Sequence, residues 1–273
     1  ARAFVQAGVQ AGYPYNDDTN GASREGFGPV DVTVSRGRRS STSSACLRPV
    51  MNRPNLSVIT GAHVTRILFE GQRAVGISYR KRGKEHMVRA EREVILSAGA
   101  INSPQILMLS GVGPADHLRA NGIEPLLDLP GVGGNLQDHL AITVKHRCLQ
   151  PISMFKYFSP LKGAAALGQY LLLRKGPLAD PGMEAAGFVK SASCEPEPDI
   201  KLLFVMALYR NHGREVIPEH GFYAHINCLR PESRGTVRLA SADPAAAPLI
   251  DQNYLAEPQD RRIMRRGVQI ARE

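Results

Sequence analysis

Short apolar runs separated by glycine-containing turns dominate the stretch of chain that follows Leu56. These runs occupy residues 57–60, 64–69, 74–80 and 86–90. Runs of this length between turn residues are typical of strands, so the pattern predicts one sheet strand followed by a small antiparallel meander. The next run, residues 93–97, is continuously apolar at its centre, which is typical of a parallel strand buried on both faces. We therefore expect this run to belong to a larger sheet.

Small residues follow the predicted strand at 93–97 and lead into a helix. Ala98, Gly99 and Ala100 come first, and Ser103 and Pro104 then supply an N-cap and a first helical residue. Without large side chains, the backbone at the end of a strand can approach a bulky ligand closely. The pattern predicts a strand–turn–helix unit with room for a ligand, and a tight packing corner is the alternative interpretation.

Strand-like runs are more widely spaced in the second half of the chain. Candidate strands occupy residues 140–146, 199–207, 221–229 and 236–240. Candidate helices occupy residues 1–12, 161–174 and 259–273. Strands at this spacing with helices between them predict an antiparallel or mixed sheet that is covered by helices. The chain as a whole is predicted to combine an α/β part with an α+β part.

The formal net charge of +9 raises the question of a nucleic-acid partner. Only 6% of the residues are aromatic, and no nucleic-acid-binding motif is present, so we expect a solvated basic surface and no nucleic-acid partner. Four arginines share helical spacing and form either a solvated face or a face toward a membrane or an acidic partner. They are Arg261, Arg262, Arg265 and Arg266.

The spacing of cysteines and histidines indicates whether the chain has a metal site or disulfides, and in which kind of compartment it is located. The four cysteines form no C-x-x-C pair, and the eight histidines show no H-x-x-x-H spacing. These spacings support neither a metal site nor a disulfide framework, and they favour a reducing compartment. No apolar run approaches the length that crosses a membrane. We expect a cytoplasmic location, with peripheral association with the inner membrane as the membrane-linked alternative.

Five segments, taken in chain order, resemble one enzyme family. Gly99 to Gly113 matches the defining positions of a signature of the glucose–methanol–choline (GMC) flavoprotein oxidoreductases. The other similar segments are residues 53–76, 130–139, 230–235 and 248–255. They occur in family order and cover nearly the whole chain. Within the family, the chain is most similar to choline dehydrogenases and related primary-alcohol dehydrogenases.

The resemblance implies a domain organisation. Residues 1–139 resemble the trailing part of an FAD-binding, Rossmann-like domain that carries the small antiparallel meander. Residues 140–258 resemble a substrate-binding domain with an antiparallel or mixed sheet and helices, and residues 259–273 begin a helix that returns to the first domain. No segment matches the G-x-G-x-x-G loop with which the family holds the FAD pyrophosphate. We expect the chain to be the middle of a longer parent protein, with both ends absent.

The resemblance also implies which residues contact FAD. Val64 is the position whose backbone would meet the adenine, and this role is compatible with a valine side chain in the core of a strand. Ala98, Gly99 and Ala100 match the small-residue turn that passes the cofactor. The expected cofactor-binding residues are therefore Val64, Ala98, Gly99 and Ala100, and no metal-binding residue is expected.

Glu184 is the substrate residue that the resemblance implies. It matches a glutamate that faces the trimethylammonium group in choline-oxidising members, and the alternative is an acid paired with an arginine such as Arg234. Asp138 and His139 are adjacent, so their side chains point in different directions and are expected to be structural rather than an acid–base pair. No catalytic residue is expected, because the family's histidine would lie beyond Glu273.

The activity that the resemblance implies is FAD-dependent oxidation of a primary alcohol, choline or a similar compound, to the aldehyde. Hydride passes to the flavin, which then reduces a quinone-like acceptor or oxygen. This activity is expected of the parent protein, whereas the chain alone is expected to be inactive. The alternative is a stand-alone binding or regulatory module derived from a GMC substrate domain. The sequence leaves the oligomeric state open.

We expect the 273-residue chain to be colourless as purified. The backbone donors of a pyrophosphate loop are missing, and charge-assisted hydrogen bonds contribute about 1.5–3 kcal/mol each to binding a charged group. Visible absorbance of the purified chain checks this expectation. A stoichiometric yellow flavin chromophore would contradict it.

Overall fold

The computed structural model describes residues 1–179, 182–211 and 213–273. The α-helices are α1 (Arg2–Gln10), α2 (Gly99–Leu109), α3 (Ala115–Ala120), α4 (Pro160–Leu173) and α5 (Pro258–Arg272). The strands are β1 (Gly26–Pro29), β2 (Val34–Ser35), β3 (Arg38–Arg39), β4 (His63–Glu70), β5 (Arg73–Lys81), β6 (Lys84–Arg89), β7 (Val112–Gly113), β8 (Leu127–Asp128), β9 (Ala141–Arg147), β10 (Ala185–Val189), β11 (Ile200–Val205), β12 (Tyr209–Arg210), β13 (Glu215–Val216), β14 (Gly221–Cys228), β15 (Thr236–Arg238) and β16 (Leu249–Asp251). Short π and 3₁₀ turns occupy Ser43–Leu47, Arg48–Val50 and Met154–Phe158.

The chain divides into two compact units, and the first consists of Ala1–Arg53, His139–Pro231 and Pro258–Glu273. Its centre is a five-stranded sheet in the order β1-β10-β11-β14-β9, in which every neighbouring pair is antiparallel. Strand β10 is buried along its whole length and pairs with β1 on one side and β11 on the other. The predicted antiparallel sheet is thus present.

Helices α1 and α5 pack against this sheet. Phe4 of α1 stacks on Phe204 of β11 with 4.9 Å between the ring centroids. The apolar residues of α5 at helical spacing, Ile263, Met264 and Ile270, are buried, while its arginines lie on the other face. Gly267 lets α5 approach β14 closely, because an added Cβ would lie 2.6 Å from Ile226 Cγ2.

The second unit consists of Pro54–Asp138 and Glu232–Glu257. Strands β4, β5 and β6 form the predicted meander, and α2 packs on β4. The Ser110 hydroxyl accepts a hydrogen bond from the Ile67 N–H at 2.8 Å and so ties the end of α2 to the meander. A separate apolar cluster joins Met108, Leu118, Val132 and Leu239. Strand β15 pairs with β16.

Several local predictions are wrong. Residues 57–60 and 93–97 are not strands, since no described residue pairs with them along the backbone. Residues 236–238 form a strand that pairs with β16 rather than with the five-stranded sheet. Helix α2 begins at Gly99, so Pro104 lies inside it and Ser103 is not its N-cap. Strands β1 and β10 were not predicted.

The other helices and strands predicted from the pattern are confirmed with end shifts of a few residues: α1, α4, α5, the meander β4–β6, and strands β9, β11 and β14. The domain bounds 1–139, 140–258 and 259–273 describe functional domains and stay a prediction. Each compact unit contains several segments of the chain. In the first unit this is because β1 is part of the five-stranded sheet and α5 packs on it.

The close contact at Gly267 gives a stability prediction. Gly267→Val places side-chain atoms against Ile226 and Ile200, and such overpacking costs about 1–3 kcal/mol of the free energy of unfolding. The matched control is Gly168→Val in α4, where an added Cβ meets nothing within 4 Å. Urea unfolding followed by circular dichroism measures both variants. Equal unfolding midpoints would show that α5 does not rest on the sheet at Gly267.

Candidate functional site

A cavity of about 450 Å³ in the second unit brings Val64 and Ala98 together. Its walls come from β4, β5, β6, the extended segment at residues 93–97, and Ile106 of α2. Val64 and Ala98 are half-buried. The lining is mostly aliphatic, which suits a flat aromatic group such as adenine held by van der Waals contact and backbone polar atoms.

Gly99 and Ala100 form the first turn of α2 and are exposed. Gly99 has φ = +84°, a conformation that favours glycine, and a Cβ built there meets nothing within 4 Å. The open space and the unpaired N–H groups of a helix N-terminus together fit close passage of a large cofactor. The Ala98 N–H is not available for this purpose, because it donates to Ser103 Oγ at 3.1 Å.

Glu184 lies in a different cavity, of about 810 Å³, within the first unit. It directly precedes β10, and its carbonyl accepts a hydrogen bond from the Val30 N–H at 3.2 Å. The facing wall is Ala1 and α1, including Arg2, and the rest of the lining is Tyr15, Pro29 and Ala185. The backbone pairing of β1 with β10 therefore holds Glu184 at the edge of this cavity.

Glu184 is exposed, and the ion pairs of the described residues do not include its carboxylate. The carboxylate does interact electrostatically with the Ala1 ammonium, which lines the same cavity. The Arg234 guanidinium donates to the Ser233 carbonyl at 3.0 Å. Tyr15 of the same cavity was not singled out from the sequence, because only the fold of residues 13–29 against β10 brings its ring there.

Asp138 and His139 contact different groups. The Tyr254 hydroxyl donates to the Asp138 carboxylate, and His139 Nε2 forms a hydrogen bond with the Leu229 carbonyl at 3.0 Å. Hydrogen bonds that link distant parts of the chain are the structural role expected for these residues. The nearby residue Asn135 has φ = +58°, a left-handed conformation that asparagine tolerates better than most residues.

Neither a metal-binding cluster nor a membrane-spanning helix is found in the described part of the chain. No group of three or more His, Cys, Asp or Glu side chains there is arranged to hold a metal ion. No helix among residues 1–179, 182–211 and 213–273 is long and apolar enough to cross a membrane.

Comparison with known proteins decides the family. A GMC oxidoreductase model for the N-terminal region matches residues 1–141, and a second, for the C-terminal region, matches residues 231–273. The chain belongs to the GMC oxidoreductases. This result confirms the resemblance of the sequence segments and the predicted fold class, and it establishes FAD as the cofactor of the parent protein.

Relatives and solved structures agree with this assignment. The chain is 44% identical over 272 residues to the mitochondrial choline dehydrogenase of Mus musculus, covering 100% of this chain and 46% of the relative. It is 44% identical over 271 residues to an oxygen-dependent choline dehydrogenase of Staphylococcus xylosus, covering 99% and 48%. A formate oxidase variant from Aspergillus oryzae, studied for FAD modification, superimposes with a TM-score of 0.89 at 27% identity, covering 98% and 52%. Pyridoxine 4-oxidase from Mesorbium loti gives 0.84 at 27%, covering 99% and 50%.

The chain therefore spans about half the length of the curated relatives it matches. The assignment of Val64, Ala98, Gly99 and Ala100 to FAD and of Glu184 to substrate stays a prediction. The structure places Val64 and Ala98 on one cavity and Glu184 on another.

The Tyr254–Asp138 contact gives a pH prediction. The hydrogen bond to Asp138 raises the pKa of Tyr254 to about 12. Because the folded chain favours the neutral phenol, this stabilisation is complete below the unfolded tyrosine pKa of about 10 and is lost as pH rises through about 12. We expect Asp138→Asn to let Tyr254 ionise at lower pH.

Phenolate absorbance during a pH titration measures this effect, and Tyr254→Phe identifies which part of the signal belongs to Tyr254. Asp128→Asn, at another exposed acid of the same unit, is the control. An identical Tyr254 titration in Asp138→Asn and the unsubstituted chain would show that the hydrogen bond has no effect on the phenol.

Proposed function

We propose that the parent protein oxidises a primary alcohol that carries a cationic group, choline or a similar compound, to the aldehyde. The observation that carries the proposal is the exposed Glu184 carboxylate at the edge of the 810 Å³ cavity, outside the ion pairs of the described residues. The names of the relatives, choline dehydrogenases at 42–44% identity, support the same substrate class.

A carboxylate suits a quaternary ammonium group because such a cation has no N–H to donate and is attracted only through its charge and its methyl surface. The Tyr15 ring in the same cavity adds a second favourable surface, since the face of an aromatic ring attracts cations. Glu184 and Tyr15 together would hold the cationic end of the substrate and leave its hydroxyl end directed away from them.

FAD, when bound, supplies the redox chemistry by accepting hydride from the alcohol carbon. In this proposal the chain's own residues bind and orient. The aliphatic cavity at Val64 and Ala98 holds the adenine end of the cofactor, and the turn at Gly99 allows its close passage. The residue that removes the hydroxyl proton is the histidine expected beyond Glu273. The chain alone is accordingly proposed to be inactive.

Oxygen and a quinone-like compound are the proposed electron acceptors. The relatives named oxygen-dependent choline dehydrogenases support oxygen. We also propose a cytoplasmic location with peripheral association with the inner membrane. The free thiols of Cys46, Cys148, Cys194 and Cys228 support a reducing compartment.

The substrate class is tested with Glu184→Gln in the parent protein. This change removes the charge and keeps the size of the side chain, so choline should lose up to about 1 kcal/mol of binding, as expected for an exposed ion pair. An uncharged alcohol of similar length should bind almost as before. Steady-state kinetics with both alcohols measures the difference, mainly as KM.

Glu91→Gln is the matched control, because Glu91 is an exposed acid of the second unit and lines neither cavity. It should change the kinetics of neither substrate. An equal loss for choline and the uncharged alcohol in Glu184→Gln would exclude cation recognition by Glu184.

A further inference from the structure

Helix α4 turns a continuous apolar face toward solvent. Its buried residue is Ala166, and the residues on the opposite side follow helical spacing. We call this side the α4 surface; it consists of Leu161, Ala164, Ala165, Gly168, Leu171 and Leu172. Leu161 is 83% exposed and Leu172 is 84% exposed. A soluble helix normally shows polar residues on this side, so the α4 surface calls for an apolar partner.

The residues next to α4 extend the apolar character. Leu149 and Ile152 precede the helix and are exposed, and Phe158 lies at the end of the 3₁₀ turn that packs beside α4. Leu173, at the last position of the helix, is also exposed. Large apolar side chains are thus concentrated from residue 149 to residue 173.

The sequence segment that contains α4 has charged residues of one sign, although Arg147 pairs with Glu219 of another segment at 3.0 Å. Residues 140–179 contain six lysines and arginines and no Asp or Glu, compared with a net charge of +9 for the whole chain. The six are Lys145, Arg147, Lys156, Lys162, Arg174 and Lys175. Lys162 lies within α4, and Arg174 and Lys175 directly follow it. An apolar helix face with lysines and arginines beside it suits the interface of an anionic bilayer.

Helix α5 is the contrasting case, although its arginines are also a candidate membrane face. Its apolar residues are buried against the sheet, and Arg262 and Arg266 pair with Glu195 and Glu273. A basic face without exposed apolar residues cannot insert into the acyl region. The combination that a bilayer interface requires is found at α4.

We propose that the α4 surface docks the protein on anionic lipid, with α4 lying in the plane of the interface. Fourteen residues make a helix of about 21 Å, too short to cross a bilayer core of about 30 Å. Contact between two α4 surfaces would bring like charges together, which disfavours a second copy as the occupant. This proposal assigns a surface to the membrane location and is independent of the alcohol substrate.

The absence of tryptophan makes a direct test possible. Leu172→Trp introduces a single fluorophore on the α4 surface, and Met87→Trp introduces one at a residue that is 71% exposed in the second unit. The probes are vesicles of phosphatidylcholine and vesicles containing about one third phosphatidylglycerol. With the anionic vesicles we expect a blue shift of the tryptophan emission of Leu172→Trp and none for Met87→Trp.

Co-sedimentation of the otherwise unsubstituted chain measures affinity. The double variant Leu161→Glu/Leu172→Glu should weaken binding to anionic vesicles at least about tenfold. Met87→Glu should leave binding unchanged, and circular dichroism checks that each variant is folded. High salt should also weaken binding, since the headgroup attraction is screened.

Four outcomes would overturn the proposal. The first is no binding to anionic vesicles, and the second is binding that the double variant retains. The third is a blue shift of Leu172→Trp emission that appears without vesicles and grows with protein concentration, which would identify a second copy as the occupant. The fourth is that the parent protein does not bind anionic vesicles in the same assay, which would show that other residues of the parent cover the α4 surface. None of these measurements needs FAD or turnover, so their failure leaves the alcohol proposal unaffected.

Discussion

Backbone pairing of β10 with β1 and β11 is the interaction on which the candidate substrate site depends. Strand β10 consists of Ala185–Val189 and is made mostly of small residues, and Phe188 and Val189 supply its larger buried side chains. Its hydrogen bonds to two neighbours fix it, and complete burial strengthens them. Glu184 is the residue immediately before this strand, so the pairing also fixes the position of the carboxylate.

The two candidate sites follow different physical rules. The cavity at Val64 and Ala98 is aliphatic, and its polar recognition would come from the backbone and from the first turn of α2. The cavity at Glu184 is lined by two charged side chains, Glu184 and Arg2, and by the aromatic residue Tyr15. A cofactor with a large flat group suits the first kind of site, and a small cation suits the second. The family assignment accounts for both, because a GMC oxidoreductase must bind FAD and a substrate.

Sequence patterns predicted the elements whose periodicity is local. The meander β4–β6 and helices α1, α4 and α5 could be found because their apolar spacing is regular. Strands β1 and β10 could not be found, because glycine, alanine and proline in them carry no strand signal and their structure comes from distant partners.

Residues 93–97 are a strand in the sequence pattern and not in the structure. The run is apolar and strand-like, but no described residue lies beside it to pair with its backbone. At α2, the Ser103 hydroxyl accepts a hydrogen bond from the Ala98 N–H although Ser103 lies inside the helix. The usual capping rule for a Ser-Pro pair therefore places the start of this helix too late. Val64 and Glu184 could be named only through the family resemblance, because a backbone contact and a lone carboxylate leave no spacing signature. The small residues Ala98, Gly99 and Ala100 also indicated a ligand by their pattern, and the resemblance added that the ligand is FAD.

In the proposed function, the Glu184 cavity receives the cationic end of the substrate. A crystal structure of the FAD-loaded parent protein with glycine betaine, an unreactive ligand with the same trimethylammonium group as choline, tests it most directly. We expect the trimethylammonium group in contact with the Glu184 carboxylate and beside the Tyr15 ring. A ligand bound next to the flavin with Glu184 directed to solvent, or paired with an arginine, would contradict it.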